Sequence, residues 1–196
     1  MYKHVISLGW FCGPAMELER VGLRDASYPF DWLLTHDFKN VILSIKEKKV
    51  YNLKLDNMLQ YEKVASHWYN KEYIISLFHD FSEYEYLEKQ LPEVNAKYAK
   101  RFARFYTAIQ EPTLFIRYVK DEAELRYICK HEEEINQVLQ HYNSENVIKY
   151  IVNRDIAEGL NAWGGQKTIE SFTFPRIKMI HWQGIFLTSV MTLKHT

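Results

Sequence analysis

Apolar positions in this chain fall into short runs and longer helically spaced stripes that follow one another along the sequence. Residues 4–8 form a short apolar run followed by Gly9-Trp10-Phe11-Cys12-Gly13-Pro14, which reads as a buried strand and the turn after it. Pro14 suits a first helical position because its missing N–H is not needed there. Ala15, Leu18 and Val21 then return to one side before Gly22 stops the run. Residues 28–34 mix aromatic and polar side chains without a period, which predicts an aromatic loop. Asp37 is placed to cap a helix whose Val41, Ile42 and Ile45 share one face. Residues 51–64 are compatible with a small hairpin, and residues 73–78 predict an inner strand that ends at His79-Asp80.

The strongest helical stripe lies past Pro92, with Val94, Tyr98, Phe102, Phe105 and Ile109 on one side and Lys97, Lys100, Arg101 and Arg104 off it. Pro112 closes it. A strand over 113–119, a helix over 122–142 carrying Leu125, Ile128, Ile135, Val138 and Leu139, and a strand over 147–152 follow. Residues 161–167 read as a loop, and 177–180 as a last strand leading into His181. Strand, helix and strand in alternation predict an α/β fold: one three-layer domain over residues 1–196, with a mixed, partly parallel sheet flanked by helices.

Composition narrows the classes of function. The chain has 196 residues, 25 basic against 25 acidic, so it offers no general electrostatic attraction for nucleic acid or anionic lipid. With 47% hydrophobic residues it can bury a full core without metal or disulfide support. No apolar run approaches a membrane span and no signal segment opens the chain, which predicts a cytoplasmic protein without a membrane partner. Only two cysteines are present, far apart, so each is a lone thiol rather than part of a disulfide framework.

The two thiols differ in setting. Cys12 lies where a strand gives way to a helix, between Gly9 and Gly13, so unpaired N–H groups and the positive end of the helix dipole favour its thiolate. The N–H groups of Cys12 and Gly13 are the natural donors to an oxyanion formed when sulfur attacks an acyl carbon. The competing reading makes Cys12 a small residue packed beneath the helix start. Cys129 falls four residues after Leu125 in a helical stripe and reads as core. His79, at a strand end, is the positional candidate for the base, with His181 its rival; His36 and His67 have no positional argument. Asp31 or Asp80 would orient the imidazole. Asp80 does so only if the strand has ended before it, and Asp31 has an alternative partner in Arg24. Arg117 sits in an otherwise apolar strand and must find a partner, either a salt bridge or an anionic group of a substrate. Trp10 and Trp32, with Arg24 and Arg117, are the candidate substrate contacts. His131 lacks a second histidine four positions on, and no dinucleotide or phosphate loop follows any strand, so neither metal nor cofactor is expected.

The run Ile6-Ser7-Leu8-Gly9-Trp10-Phe11-Cys12, then Gly22-Leu23-Arg24, then Ser27-Tyr28-Pro29-Phe30-Asp31-Trp32-Leu33, with His79-Asp80-Phe81 and the helix from Arg101 to Phe105, resembles a bacterial family of unknown function described as papain-like cysteine peptidases. The resemblance spans about the first 120 residues and implies Cys12 as nucleophile and His79 as base. It also implies an association with surface polysaccharide, so acyl transfer stands beside hydrolysis, and the substrate is a peptide, an acyl group or a carbohydrate-linked group. The strand and helix alternation departs from papain toward an open α/β sheet. In flavodoxin-like esterases the histidine comes from near the C-terminus, which would promote His181. The alternative to an enzyme is a noncatalytic module for a glycan or nucleotide-sugar, in which Trp10 and Trp32 stack on sugar faces and arginines hold phosphates.

Overall fold

A computed structural model describes residues 1–61, 63–152 and 156. Strands β1 (His4–Ser7), β6 (Thr113–Tyr118) and β7 (Val147–Ile151) form one parallel sheet in the order β1-β6-β7. Strands β2 (Leu33–Thr35), β5 (Ile75–Leu77), β4 (Trp68–Asn70) and β3 (Met58–Gln60) form a separate antiparallel sheet in the order β2-β5-β4-β3. The expected mixture of strand directions is therefore resolved into two sheets. Among the described residues they are accompanied by the α-helices α1 (Gly13–Arg20), α2 (Phe38–Lys46), α3 (Leu87–Ala108) and α4 (Glu122–Gln140).

Alternation along the parallel strands decides where the helices lie. Val5, Leu114, Ile116 and Ile151 face one way and pack against Leu18 of α1 and Leu23 beyond it. Ile6, Phe115 and Ile148 face the other way, into the large core built by α2, α3, α4 and the inner face of the antiparallel sheet. The helix that follows β1 thus covers one face, and the helix that follows β6 covers the other. Neighbouring strands whose connections leave to opposite faces open a crevice at their C-terminal ends. Those ends carry the Gly9–Gly13 turn, with Cys12 in it, and the loop after β6.

Several boundaries depart from the sequence pattern. Leu33 and Leu34, expected within the loop over 28–34, open a strand that runs to Thr35, because Leu33 and Thr35 turn into the core while the backbone pairs with β5. The hairpin near residue 58 takes its second strand from 68–70 rather than from within 51–64. Helix α3 starts at Leu87, five residues before Pro92, since Leu87 and Leu91 extend the buried stripe upstream and hold the first turns in place. Cys129, expected in the core, is exposed. It stands one step past Ile128 on the flank of α4 and lines a groove against β7 with Glu132 and Tyr150, so the stripe of Leu125, Ile128 and Ile135 passes it by. The loop at 161–167, the strand at 177–180 and His181 lie outside the described residues.

Candidate active site

The turn after β1 is built from consecutive left-handed residues, Gly9 at φ +79° and Trp10 at φ +76°. Glycine is required at the first, because a Cβ there would lie 3.0 Å from the Phe30 carbonyl oxygen and 3.1 Å from Thr35 Oγ1. Trp10 has no such excuse, and its strained backbone is held by neighbours. Its N–H donates to Thr35 Oγ1 at 3.0 Å, and the Thr35 N–H donates to the Trp10 carbonyl at 3.1 Å. Strain of this kind persists only where the surroundings over-determine it, and it gathers at functional sites.

Two residues on, Cys12 is the N-cap of α1, half-buried, with its carbonyl accepting the Met16 N–H at 3.0 Å. No acidic side chain lies in the first turn of α1, so its positive end is not neutralised locally. Burial nonetheless raises the Cys12 thiol above its ordinary range, and only its own backbone amide pulls it back. The resting sulfur is therefore a thiol, and ionising it takes a base. Phe11 folds back over Gly13, whose added Cβ would fall 2.4 Å from the ring, and meets Tyr118 edge-on at 5.2 Å. Lys120, from the loop after β6, lies 5.8 Å from the Trp10 ring and donates to the His36 carbonyl at 2.9 Å.

His36 is the histidine tied to this turn, and the sequence pattern did not single it out. Its ring meets Trp10 edge-on at 5.9 Å, and its Nε2 lies 2.8 Å from Ser76 Oγ. Burial, and secondarily the charge of Lys120, hold its pKa below the usual imidazole value, in the neutral form. The available signal was Asp37: a helix cap there, accepting from the Lys39 N–H at 2.9 Å, puts the preceding residue at the strand end. His79 sits just past β5, exposed, and packs edge-on against Trp32 at 6.1 Å. Among the described residues no hydrogen bond ties the Cys12 thiol to a histidine.

The carboxylates expected to orient an imidazole are engaged elsewhere. Asp31 is buried and accepts from Arg24 Nε and Nη2 at 3.1 and 3.0 Å and from the Tyr28 N–H at 2.8 Å. Burial is the largest influence on it and pushes its pKa up to about 6, against the pull of the Tyr28 amide and Arg24. Asp80 accepts the Tyr98 hydroxyl at 2.8 Å and pairs with the Lys97 ammonium. Arg24 also lies over Trp32, 5.2 Å from the ring centre. Trp32 thus stands between Arg24 and His79.

Arg117 is fully buried and has spent every donor inside the protein. Nε and Nη2 fork onto Glu124 at 2.8 and 2.9 Å, Nη1 reaches the Leu8 carbonyl at 2.9 Å and Thr35 Oγ1, and Nη2 reaches the Thr35 carbonyl at 3.2 Å. Of the two roles its sequence position allowed, this geometry is the salt bridge, and no N–H is left for a substrate. The cysteine turn and the Arg24–Trp32–His79 group are two neighbourhoods of the candidate site, linked through Phe30, whose carbonyl lies against Gly9 and which directly precedes Asp31 and Trp32 in the chain.

Among the described residues no helix is long and apolar enough to cross a membrane, and no cluster of three or more His, Cys, Asp or Glu is arranged for a metal ion. The chain is similar to an uncharacterized protein of Acanthamoeba polyphaga mimivirus, 27% identical over 168 residues that cover 75% of each chain. That relative is viral, so the expectation of a bacterial family has no support from it. No solved structure matches. The family model described as "Putative papain-like cysteine peptidase" matches residues 3–152, a span that contains the cysteine turn, Trp32, His79 and the whole parallel sheet. The chain belongs to this papain-like cysteine peptidase family.

Proposed function

We propose that the protein is a cysteine-dependent hydrolase of peptide bonds, with Cys12 as nucleophile and His79 as base. The observation that carries this reading is Cys12 at the N-cap of α1, directly after the strained turn at the C-terminal end of β1. In the first step the histidine takes the thiol proton and sulfur bonds to the carbonyl carbon. The carbonyl oxygen becomes an oxyanion opposite the N–H groups of Cys12 and Gly13. Collapse breaks the C–N bond, the histidine returns the proton to the leaving amine, and a thioester remains. Water, losing a proton to the same histidine, cleaves the thioester to carboxylate and thiol. An acceptor hydroxyl in place of water would make the reaction an acyl transfer.

His79 is preferred because it is exposed with no hydrogen bond at either ring nitrogen among the described residues, whereas Nε2 of His36 is occupied by Ser76. The edge of Trp32 would hold its ring, since neither Asp31 nor Asp80 does. A second reading gives the proton to His36, favoured by its contact with Trp10 in the cysteine turn. Alkylation rates against pH separate them. Burial raises both thiols, so a Cys12 that reacts at least about ten-fold faster than Cys129 near neutral pH is the outcome expected if a histidine takes its proton. His79→Gln should move that reactivity up into the range of an ordinary thiol, while His36→Gln should leave it in place. The reverse pattern transfers the base to His36. Equal, slow modification of both cysteines in the wild-type protein removes the enzymatic reading.

A further inference from the structure

Three segments distant in sequence converge against the basic side of α3. Arg24, Asp31 and Trp32 come from the loop before β2, His79 and Asp80 follow β5, and Lys97, Tyr98 and Arg101 belong to α3 itself. Nearly every charge in this group is matched. Asp80 has Tyr98 and Lys97, and Asp31 has the Arg24 fork and the Tyr28 amide. Two further donors of Arg24 go to Ser27 Oγ at 2.6 Å and, on the solvent side, to Glu19 at 3.2 Å.

Arg101 is the exception. Its guanidinium lies over the Tyr98 ring, 5.3 Å from the centre, and Nη1 is buried with no hydrogen-bond acceptor among the described residues. Its charge is felt by both Asp31 and Tyr98, yet it bonds to neither. Arg24 and Lys97 thus each have a carboxylate partner, Asp31 and Asp80, with Glu19 a second one for Arg24, and among the described charges of this group Arg101 alone has none. The residue as a whole is half-buried, and a buried guanidinium nitrogen given no acceptor carries a desolvation cost that nothing in the group repays. The guanidinium fork is also shaped for the paired oxygens of a carboxylate or phosphate.

We propose that Arg101 anchors an oxyanion-binding site, for a carboxylate or phosphate group of a ligand, bordered by the segments that carry Trp32 and His79. One added anion gives Nη1 its missing acceptor and Arg101 the charged partner it lacks. The site does not depend on the thiol, so a Cys12→Ala chain binds the anion as the wild-type chain does, whatever Cys12 catalyses.

The test is a titration of the full chain with inorganic phosphate and, separately, with acetate, at ionic strength held constant with chloride. The indole N–H resonance of Trp32, assigned from a Trp32→Phe spectrum, is the readout. A saturable shift with either anion is expected. Phosphate alone would indicate a phosphorylated ligand, acetate alone a chain end or acidic side chain, and both together a group common to the two; each supports the site. Arg101→Gln should weaken the response about ten-fold or more, with Arg101→Lys between the two because it keeps the charge and loses the fork. No saturable shift with either anion in the wild-type chain overturns the proposal, as does an unchanged titration in Arg101→Gln. If the glutamine variant fails to fold, the wild-type and lysine titrations decide.

Discussion

Asp31 and Gly9 show how single residues near the candidate site are held by opposed forces. Burial pushes the Asp31 carboxyl up to about 6 even though Arg24 and the Tyr28 amide favour its charge. In the unfolded chain an aspartate titrates near 3.9. Between about pH 4 and pH 6 the folded state therefore keeps a proton that the unfolded state has released, and stability falls as pH rises through that window, by about 3 kcal/mol in full. Asp31→Asn cannot titrate. The unfolding free energy of the wild-type chain relative to this variant should drop by about 2 kcal/mol from pH 4 to pH 6, the greater part of the whole, measured by urea denaturation at each pH. At Gly9, alanine would bring both the left-handed strain and a Cβ into the Phe30 carbonyl. Gly9→Ala is expected to lose about 1–3 kcal/mol of stability and, because Trp10 and Cys12 follow directly, to change the alkylation rate of Cys12.

At the scale of elements, helix α3 organises the core and the basic edge of the site together. Val94, Tyr98, Phe102 and Phe105 are buried on its inner face, and Phe30 meets Phe102 and Phe105 edge-on at 5.8 and 5.7 Å. Those contacts fix the loop that carries Asp31 and Trp32. Pro92 lies past the first turn of this helix and cannot donate to the carbonyl four residues back. Pro92→Ala should therefore stabilise the protein, by about 1–3 kcal/mol if the backbone already follows the helix, read as a higher denaturant midpoint with unchanged slope. A loss of stability would show that proline shapes the entry to α3. The sequence pattern marked Pro92 as a boundary because proline usually is one. Leu87 and Leu91 overrode it through contacts that no local window contains.

For the molecule as a whole, Arg117 is the junction between the two sheets. From β6 it reaches the end of β1 at Leu8, the end of β2 at Thr35 and helix α4 at Glu124, with the Phe38 ring of α2 4.7 Å from its guanidinium carbon. Thr35 in turn holds the Trp10 backbone, so the network supports the cysteine turn from beneath. Arg117→Met leaves Glu124 buried without its partner and should cost about 3–5 kcal/mol, whereas Arg117→Met with Glu124→Leu should recover much of the loss. Chemical denaturation of the two variants measures this. If the double variant regains stability but not Cys12 reactivity, the network positions the turn as well as stabilising the fold.

The sequence alone determined what depends on neighbours along the chain. The periods of α2, α3 and α4, the runs of β1, β6 and β7, the Asp37 cap and the glycine-flanked setting of Cys12 are all local, and they led to an α/β fold with a cysteine at a strand-to-helix turn. The motif run from Ile6 through Leu33 carried the family resemblance in the same way. Only the tertiary structure decided what each polar side chain meets. It separated the parallel from the antiparallel strands, committed Arg117 to Glu124 rather than to a substrate anion, gave Asp31 to Arg24 and Asp80 to Lys97, placed His36 beside Trp10 and left Cys129 at the surface. The physical reason is that a buried charge or imidazole is governed by groups it touches in space, and here those groups lie many residues away: Thr35 and Arg117, Tyr98 and Asp80, Ser76 and His36.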